Sequence, residues 1–230
     1  MILKSNLKRI DFLTATQKAY YTTIRTNSIS FATGYPGTGK TFVACYAGLK
    51  ALTEGRVSRI VITKPCVEVG SDSLGALPGD MEEKMAPFIR SIEECLSAIV
   101  GHEATKRYRA SGQIEILPLN HMRGLTLDNA FVIADEMQNS TYLQLKTFLT
   151  RIGNNTTYVI NGDLGQKDID HPSGLVVFLQ ILDGLPGVGV VDFKLNDIVR
   201  SGMLKELMIR IYEYEEIELA RSPRARSKSS

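Results

Sequence analysis

Eight consecutive residues have types and spacing suited to binding phosphate. Positions 34 to 41 read Gly-Tyr-Pro-Gly-Thr-Gly-Lys-Thr, the Walker A pattern. In such a loop the backbone N–H groups and the N-terminus of the next helix point at one anion, and the lysine adds a positive charge. The pattern predicts a nucleoside triphosphate site formed by these residues: Gly34, Tyr35, Pro36, Gly37, Thr38, Gly39, Lys40 and Thr41.

The segments on either side of this loop have strand and helix character. A short β-rich run covers residues 28–33, and residues 42–52 are apolar almost all round, as expected of a helix packed against a sheet. The loop binds phosphate only if a strand leads into it and a helix follows it. This setting argues against the alternative, a chance glycine-rich turn.

A pair of adjacent carboxylates forms the second motif. Residues 131–134 have an apolar strand pattern, and Asp135 and Glu136 follow directly. In open α/β sheets, ligands bind at the carboxyl ends of the strands. Asp135 and the Thr41 hydroxyl are therefore predicted to hold Mg²⁺, and Glu136 to orient and deprotonate a water that attacks the γ-phosphate. The alternative is a strand that ends in a solvated acidic turn.

Two later residues are candidates for contacts with the γ-phosphate region. Gln166 ends the segment Asn161-Gly-Asp-Leu-Gly-Gln, where an amide could contact the attacking water. A plain Asn-Gly turn is the competing interpretation. Arg200 is the candidate for neutralising charge in the transition state. The alternative for Arg200 is a surface arginine paired with Asp197 or Glu206.

Gln17 is a candidate for recognising the base. Its amide could pair with both a donor and an acceptor on the edge of adenine. The sequence places Gln17 just before the first helix and strand, in the segment Leu13-Thr-Ala-Thr-Gln-Lys. A capping box from Thr14 to Gln17 would explain the same residues through helix-start chemistry alone.

Apolar β-branched runs alternate with helical patterns along the chain. The alternation predicts an α/β fold, a parallel sheet with helices on both faces. The runs cover residues 28–33, 59–63, 114–117, 130–134, 156–160 and 189–193. Residues 70–112 fall outside this alternation and include a long helical pattern, predicted either to face the core or to contact a substrate or a subunit. Its apolar face consists of Met81, Met85, Phe88, Ile89, Ile92 and Leu96.

Composition limits the function classes. No stretch of the 230 residues approaches the ~18 to 20 apolar residues that cross a bilayer, and no signal-peptide pattern is present, so a cytoplasmic protein is expected. The three cysteines lack the spacing of a zinc site or a disulfide framework. The formal charge is +2, but residues 221–230 carry four positive charges, which leaves −2 for residues 1–220. A strongly basic nucleic-acid binder is therefore excluded, and any such site must be a local patch.

Taken in order, the motifs resemble those of the PhoH-like family of phosphate-starvation-inducible ATPases, including the short single-domain members carried by bacteriophages. The resemblance covers roughly residues 12–210. Besides the Walker A loop it rests on Thr63-Lys-Pro-Cys-Val-Glu-Val-Gly70, Leu77-Pro-Gly-Asp80, Met122-Arg-Gly124, Asp135-Glu-Met-Gln-Asn139, Asn161-Gly-Asp-Leu-Gly-Gln166 and Asp197-Ile-Val-Arg200.

This family pattern is similar to the first motor domain of superfamily one helicases. The resemblance implies a RecA-like P-loop NTPase domain over residues 1–218. The break in the strand-helix alternation predicts an inserted helical segment at about 70–112, and the composition of residues 219–230 predicts a basic disordered tail. It further implies that Gln17 reads adenine and that the segment ending at Gln166 couples ATP to nucleic acid. By the same resemblance, the residues at the strand backbone would be Thr63, Lys64 and Pro65.

The resemblance also implies a partner. Helicases use two motor domains, and the second donates an arginine across the cleft. A single domain is therefore expected to form a homo-oligomer, a ring of six, in which Arg200 reaches the ATP of a neighbouring subunit.

These observations define one leading function and two alternatives. The leading function is ATP hydrolysis, with ATP and Mg²⁺ as ligands and coupling to RNA or single-stranded DNA, in the cytoplasm, or in the host cytoplasm if a phage encodes the chain. The first alternative is a nucleotide-gated oligomeric module that holds a nucleic acid or a protein without unwinding. A small-molecule kinase is disfavoured because Asp135 and Glu136 form a water-activating pair and no acceptor pocket is evident.

Overall fold

The computed structural model describes residues 7–66, 81–165 and 172–221. Within these residues, six strands form one sheet: β1 (Ile29–Gly34), β2 (Arg59–Lys64), β3 (Ile114–Pro118), β4 (Ala130–Ala134), β5 (Thr157–Asn161) and β6 (Val188–Phe193). The α-helices described are α1 (Ala15–Thr26), α2 (Lys40–Thr53), α3 (Met81–Val100), α4 (His102–Ala110), α5 (Tyr142–Leu149), α6 (Gly174–Ile181) and α7 (Gly202–Arg221).

All neighbouring strands are parallel, in the order β3-β2-β4-β5-β1-β6. Each of the strands predicted from the apolar runs is present, with ends that differ by at most one residue. β5 lies between β1 and β4, so the phosphate loop after β1 and the acidic pair after β4 meet across the carboxyl end of β5. The predicted α/β fold, a P-loop NTPase sheet of RecA-like type, is confirmed.

The strands read as continuous apolar runs because helices cover both faces of the sheet. Helices α1 to α4 pack on one face, where Leu49 and Leu52 of α2 are buried. Helices α5 and α6 pack on the other face, where Leu145 and Phe148 of α5 are buried. The prediction of helices on both faces is thus confirmed.

The described part of the predicted insertion consists of α3 and α4. Met85, Phe88, Ile92 and Leu96 are buried in the core, and Ile89 packs against it. The side chain of Met81 and all of residues 67–80 lie outside the described residues. The core-facing interpretation of this amphipathic helix is therefore confirmed for residues 85–96.

Helix α7 is more exposed than the other described α-helices. None of its described side chains is buried. Its inner side touches the phosphate loop, where the ring centres of Tyr212 and Tyr35 are 5.1 Å apart. Its outer side exposes apolar side chains, namely Met203, Leu204, Leu207, Ile211, Tyr214 and Ile217. The helix continues to Arg221, past the predicted start of the tail, and residues 222–230 lie outside the described residues. Neither α7 nor any other described helix combines the length and apolarity of a membrane span.

Candidate nucleotide site

The loop after β1 turns through glycines in the left-handed region. The φ angles of Gly34, Gly37 and Gly39 are 106°, 74° and 86°. A Cβ on Gly34 would lie 1.9 Å from the carbonyl oxygen of Phe193 on β6, so a side chain cannot be accommodated there. The chain then enters α2 at Lys40. The strand, loop and helix predicted around residues 34–41 are therefore present.

Lys40 lies folded over this loop. Its Nζ donates hydrogen bonds to the carbonyl oxygens of Gly34 and Tyr35, at 2.6 and 2.7 Å. Burial lowers the pKa of Lys40, and the nearby carboxylates of Asp163 and Asp135 oppose that shift. The ammonium is thus held within the loop, where a bound anion would stabilise its charge.

A series of buried hydrogen bonds fixes Asp135. Thr41 Oγ1 donates to Asp135 Oδ2 at 2.9 Å, and Asn161 Nδ2 donates to Asp135 Oδ1 at 3.2 Å. The hydroxyl of Tyr20 donates to Asn161 Oδ1 at 2.5 Å. Tyr20 and Asn161 are fully buried. Residues from α1, α2, β5 and the end of β4 therefore converge on one carboxylate.

The environment of Asp135 suits a cation. Burial, and next the charge of Glu136, raise the pKa of Asp135, although Thr41, Asn161 and Lys40 act in the opposite direction. A buried carboxylate whose charge is costly gains most from a positive ion. Asp135 and Thr41 supply the oxygen ligands that Mg²⁺ prefers, leaving other positions to phosphate and water. The described ranges hold no group of three or more His, Cys, Asp or Glu residues that could form an all-protein metal site.

Glu136 is held beside this carboxylate in an uncommon backbone conformation. Its φ is 55°, in the left-handed region that residues other than glycine rarely occupy. Gln138 Nε2 donates to Glu136 Oε2 at 2.6 Å, and Gln138 Oε1 accepts from the N–H of Asp163 at 3.0 Å. The side chain of Glu136 is exposed to the cavity and oriented by one amide.

A cavity of about 710 Å³ joins these residues. This volume is within the range of small-molecule sites, about 300 to 1,000 Å³. The loop, the acidic pair and Asp163 line one part, and α3 contributes Phe88, Ser91, Ile92 and Cys95. Lys64 Nζ lies 5.0 Å from the centre of the Phe88 ring. One face of the inserted helix thus fills the core and part of the helix lines the cavity, whereas its contact with a substrate or a subunit stays a prediction.

Gln17 is the third residue of α1, not a residue before the first helix as the sequence indicated. Thr14 Oγ1 accepts from the N–H of Gln17 at 3.1 Å, which confirms half of the capping box. The Gln17 side chain is buried, with Oε1 accepting from the N–H of Leu13 at 2.9 Å and Nε2 donating to the Thr38 carbonyl at 2.9 Å. Gln17 thus braces the phosphate loop, and adenine recognition by this residue stays a prediction.

Arg200 lies in the nucleotide cavity of its own chain. A Cβ on Gly37 would lie 3.3 Å from Arg200 Cγ, and the N–H of Val199 donates to the Gly37 carbonyl at 2.9 Å. Arg200 was expected to reach the ATP of a neighbouring subunit. The chain itself already brings Arg200 to the loop, because Val199 and Arg200 lie directly against Gly37.

Arg200 is exposed, as its alternative expected, but it forms no ion pair with Asp197 or Glu206 in the part of the chain that the structure describes. Asp197 Oδ2 accepts from the backbone N–H of Lys194 at 2.9 Å. Glu206 instead pairs with Arg210 at 2.8 Å. Gln166, the other residue expected near the γ-phosphate, lies outside the described residues.

The resemblance placed Thr63, Lys64 and Pro65 at a strand backbone. Thr63 and Pro65 are buried, and Lys64 is half-buried in the wall of the nucleotide cavity. Contact of these residues with a nucleic-acid strand stays a prediction.

The sequence reasoning missed Tyr20 and Gln138. Tyr20 is one of several tyrosines and carries no motif, so only packing identifies it. Gln138 is part of the segment Asp135-Glu-Met-Gln-Asn139, whose position after a strand could have marked its amide. Asn161, at the start of the segment that ends at Gln166, donates its amide to Asp135.

The fold and this site define a P-loop nucleotide-binding protein of the NTPase class. The chain belongs to the PhoH-like protein family, whose model matches residues 9–213. It is 39% identical to the PhoH-like protein of Bacillus subtilis over 87% of this chain and 63% of that protein. It is 38% identical to protein PhoH of Escherichia coli K12 over 84% of this chain and 55% of that protein. The chain thus spans less than two thirds of the length of these curated relatives.

Solved structures give weaker likenesses. The helicase domain of Pyrococcus furiosus Hef has a TM-score of 0.48 and 12% identity, over 79% of this chain and 38% of that one. The SWI2/SNF2 ATPase core of Sulfolobus solfataricus, solved with double-stranded DNA, has a TM-score of 0.44 and 15% identity, over 70% of this chain and 34% of that one.

Proposed function

We propose that the chain hydrolyses ATP. The observation that carries this proposal is the placement of Glu136 directly after Asp135, with its carboxylate open to the cavity that the phosphate loop lines. The carboxylate of Asp135 accepts hydrogen bonds from Thr41 and Asn161, whereas among the described residues that of Glu136 accepts one, from the amide of Gln138. A carboxylate placed beside a metal ligand and open to solvent can accept a proton from water.

In the proposed reaction, loop N–H groups and Lys40 bind the β- and γ-phosphates. Thr41 and Asp135 would hold Mg²⁺, which neutralises phosphate charge when bound. Glu136 takes a proton from water as the water oxygen attacks the γ-phosphorus. The bond from that phosphorus to the β-phosphate oxygen breaks, which releases ADP and phosphate.

Phosphate release from the purified chain with ATP, with and without excess chelator, tests this proposal. We expect steady turnover that the chelator abolishes, because Asp135 and Thr41 need the cation to position the phosphates. A parallel assay with labelled ATP and a metabolite extract distinguishes the kinase alternative. Labelled phosphate appearing on a metabolite and not as free phosphate would refute hydrolysis.

We infer that Arg200 acts on the ATP of its own chain. Its position against Gly37 supports this assignment over the neighbouring-subunit arrangement. Mixing a Glu136→Gln chain with an Arg200→Ala chain separates the two. If Arg200 acts within its chain, each site in the mixture keeps one defect and no activity returns. If Arg200 acts across an interface, some sites combine the intact Glu136 of the Arg200→Ala chain with the intact Arg200 of the Glu136→Gln chain. Activity then recovers.

Coupling to RNA or single-stranded DNA is the second part of the proposal. The charge of −2 on residues 1–220 supports only a local patch. Measuring turnover with and without single-stranded RNA or DNA at two salt concentrations tests it, because a polymer held by phosphates loses affinity steeply with salt. Turnover that no polymer changes would refute coupling.

A homo-oligomer, with a ring of six as the working arrangement, is the third part. The exposed apolar side chains of α7 support a protein partner, because a helix without buried residues gains stability when a second surface covers it. Sedimentation of the wild type and of Leu207→Lys tests this. We expect a higher oligomer that the lysine dissociates, and a wild-type monomer with full activity would refute it.

A second candidate function is a nucleotide-gated binding module without unwinding. The contact of Tyr212 and Tyr35 favours it, because α7 touches the phosphate loop and could change position with the bound nucleotide. Slow turnover that is insensitive to polymers, together with a nucleotide-dependent assembly state, would favour this function over remodelling.

A further inference from the structure

A second cavity, of about 380 Å³, lies beside α5 at the same carboxyl edge of the sheet as the nucleotide cavity. One wall is the turn after β3, with Asn120 and Arg123, and the other is the start of α5, with Thr141, Gln144 and Thr147. We call this cavity the α5 groove. None of the functions assigned so far uses it.

Among the described residues that line the α5 groove, Arg123 carries the one charge, and none is a carboxylate. Arg123 is exposed and forms no ion pair with any residue that the structure describes. Lys146 and Arg151 do not line the groove but belong to α5 and the turn after it, and residues 119–125 and 141–151 contain no Asp or Glu. In a chain with a charge of −2 on residues 1–220, an arginine without a carboxylate beside it in the groove wall favours an anionic ligand.

The surroundings of the groove combine polar and apolar surface. The exposed fractions of Tyr142 and Leu143, at the start of α5, are 45% and 59%. One face of the Tyr142 ring stacks on Phe178, and Lys146 Nζ lies 6.0 Å from its centre. Exposed aromatic and apolar side chains beside basic ones are typical of surfaces that bind single strands, where bases stack and cations follow the backbone.

The groove is connected to the hydrolytic residues by a short segment. Thr141, in the groove wall, is the N-cap of α5 and lies five positions after Glu136. Gln138, within that segment, is bonded to Glu136 and to the N–H of Asp163. The Ser140 carbonyl accepts from the N–H of Gly174, at 2.7 Å. A ligand that shifts α5 therefore acts on the segment that orients Glu136.

We propose that the α5 groove binds the backbone of a single-stranded nucleic acid, with Arg123 contacting a phosphate and Tyr142 and Leu143 lying beside the bases. This inference rests on the proposed coupling to nucleic acid and gives it a location. A strand in the groove presses on α5 and adjusts Glu136 through the 136–141 segment, so occupancy raises the rate of hydrolysis.

Binding is measured by fluorescence anisotropy of labelled 20-nucleotide oligo(dT) and oligo(U), without ATP, between 50 and 300 mM salt. We expect Arg123→Gln to weaken binding about fivefold or more, and to reduce the slope of log K against log salt by about 0.7, the value for one phosphate on a single strand. Arg107→Gln is the matched control, because Arg107 is an exposed arginine on α4, on the other face of the sheet. It should leave affinity within about twofold.

The outcomes separate this inference from the proposed function. Loss of binding in Arg123→Gln with basal ATP turnover unchanged supports the groove. An affinity and a salt slope that are unchanged in Arg123→Gln overturn it, as does a loss of binding in Arg107→Gln alone. Binding of a duplex of the same length that equals or exceeds binding of the single strand also overturns it. So does binding of a phosphopeptide that depends on Arg123 when no single strand binds. Wild-type binding without any ATP turnover would refute hydrolysis and leave the groove standing.

A second measurement does not depend on mutation. Photo-crosslinking of an oligonucleotide that contains 5-iodouridine, followed by peptide mapping, locates the bound strand directly. We expect crosslinks in residues 119–125 or 141–151. Crosslinks confined to residues 8–18 or 102–110 would place the strand on other basic residues and overturn the assignment.

Discussion

The nucleotide cavity and the α5 groove lie at the same edge of the sheet, but they hold their polar groups in opposite ways. In the nucleotide cavity, Asp135 and Asn161 are buried and their side chains are bonded to one another. In the groove, Asn120 and Arg123 are exposed. Buried side chains that are hydrogen-bonded to one another keep one geometry, and phosphoryl transfer needs such a fixed geometry. Exposed side chains can adapt to a ligand whose sequence varies.

The two regions also differ in how a substitution should act. Removal of one member of the bonded set leaves a buried partner unsatisfied, at a cost of about 1 to 3 kcal/mol. Removal of an exposed side chain costs little stability, usually within about 0.5 kcal/mol. Substitutions in the cavity should therefore change catalysis or folding, and those in the groove only ligand binding.

The largest expected effect is that of Lys40→Ala. We expect loss of nucleotide binding and turnover by at least about 100-fold, because no other described lysine lies within the phosphate loop. Lys50→Ala, on the same helix, is the control and should retain activity. Titration with a fluorescent ATP analogue and a phosphate-release assay measure the two quantities, and near-normal turnover in Lys40→Ala would contradict the assignment of the loop.

Glu136→Gln should separate binding from chemistry. The amide keeps the size of the side chain but cannot take a proton, so we expect turnover to fall by about 10² to 10⁴. The affinity for ATP should change by less than about threefold, because Glu136 is not expected to contact the nucleotide before attack. Turnover retained in this variant would mean that another group activates the water.

Asp135→Asn should abolish turnover and yet stabilise the metal-free chain. The pKa of Asp135 is raised in the native chain, whereas in the unfolded chain it has its ordinary value of about 3.9. Between these two pKa values, the native chain keeps a proton on Asp135 that the unfolded chain has released. Stability is therefore lost as pH rises through this range, and the loss persists at neutral pH. The amide has no charge to bury, and the Thr41 hydroxyl can rotate to accept from it.

Thermal unfolding in chelator at pH 4 and pH 8 measures this effect. The gain in Tm of Asp135→Asn over wild type should be larger at pH 8, at about 2 to 4 °C for each kcal/mol in a chain of this size. Asp183→Asn, an exposed carboxylate outside the cavity, should show no gain. A Tm that falls equally at both pH values would show that the charge of Asp135 does not limit stability.

Tyr20→Phe should have the smallest effect. It removes the hydrogen bond to Asn161 and leaves a buried acceptor, so we expect a loss of about 1 to 3 kcal/mol in the free energy of unfolding and a modest fall in turnover. Tyr158→Phe is the matched control, because the buried Tyr158 hydroxyl has no hydrogen-bond partner in the described part of the chain. Equal losses in both variants would mean that the Tyr20 hydroxyl does not support Asp135.

The strands could be predicted from the sequence because short, continuous apolar runs are typical of strands in a parallel sheet that helices cover on both faces. The phosphate loop and the acidic pair could be predicted because each is a local motif. The position of α3 in the cavity wall could not, since no local pattern states which part of a helix borders a ligand. The contact of Arg200 with its own loop depends on the packing of Val199 and Arg200 against Gly37, which local sequence does not encode.

The contact of Tyr212 with Tyr35 means that a probe placed on α7 can report on the phosphate loop. The chain contains no tryptophan, so Tyr212→Trp would introduce a single indole against the phosphate-binding residues. Its emission would follow the loop through binding, hydrolysis and release without any attached dye. The same optical signal would also register a partner that covers the outer side of the helix.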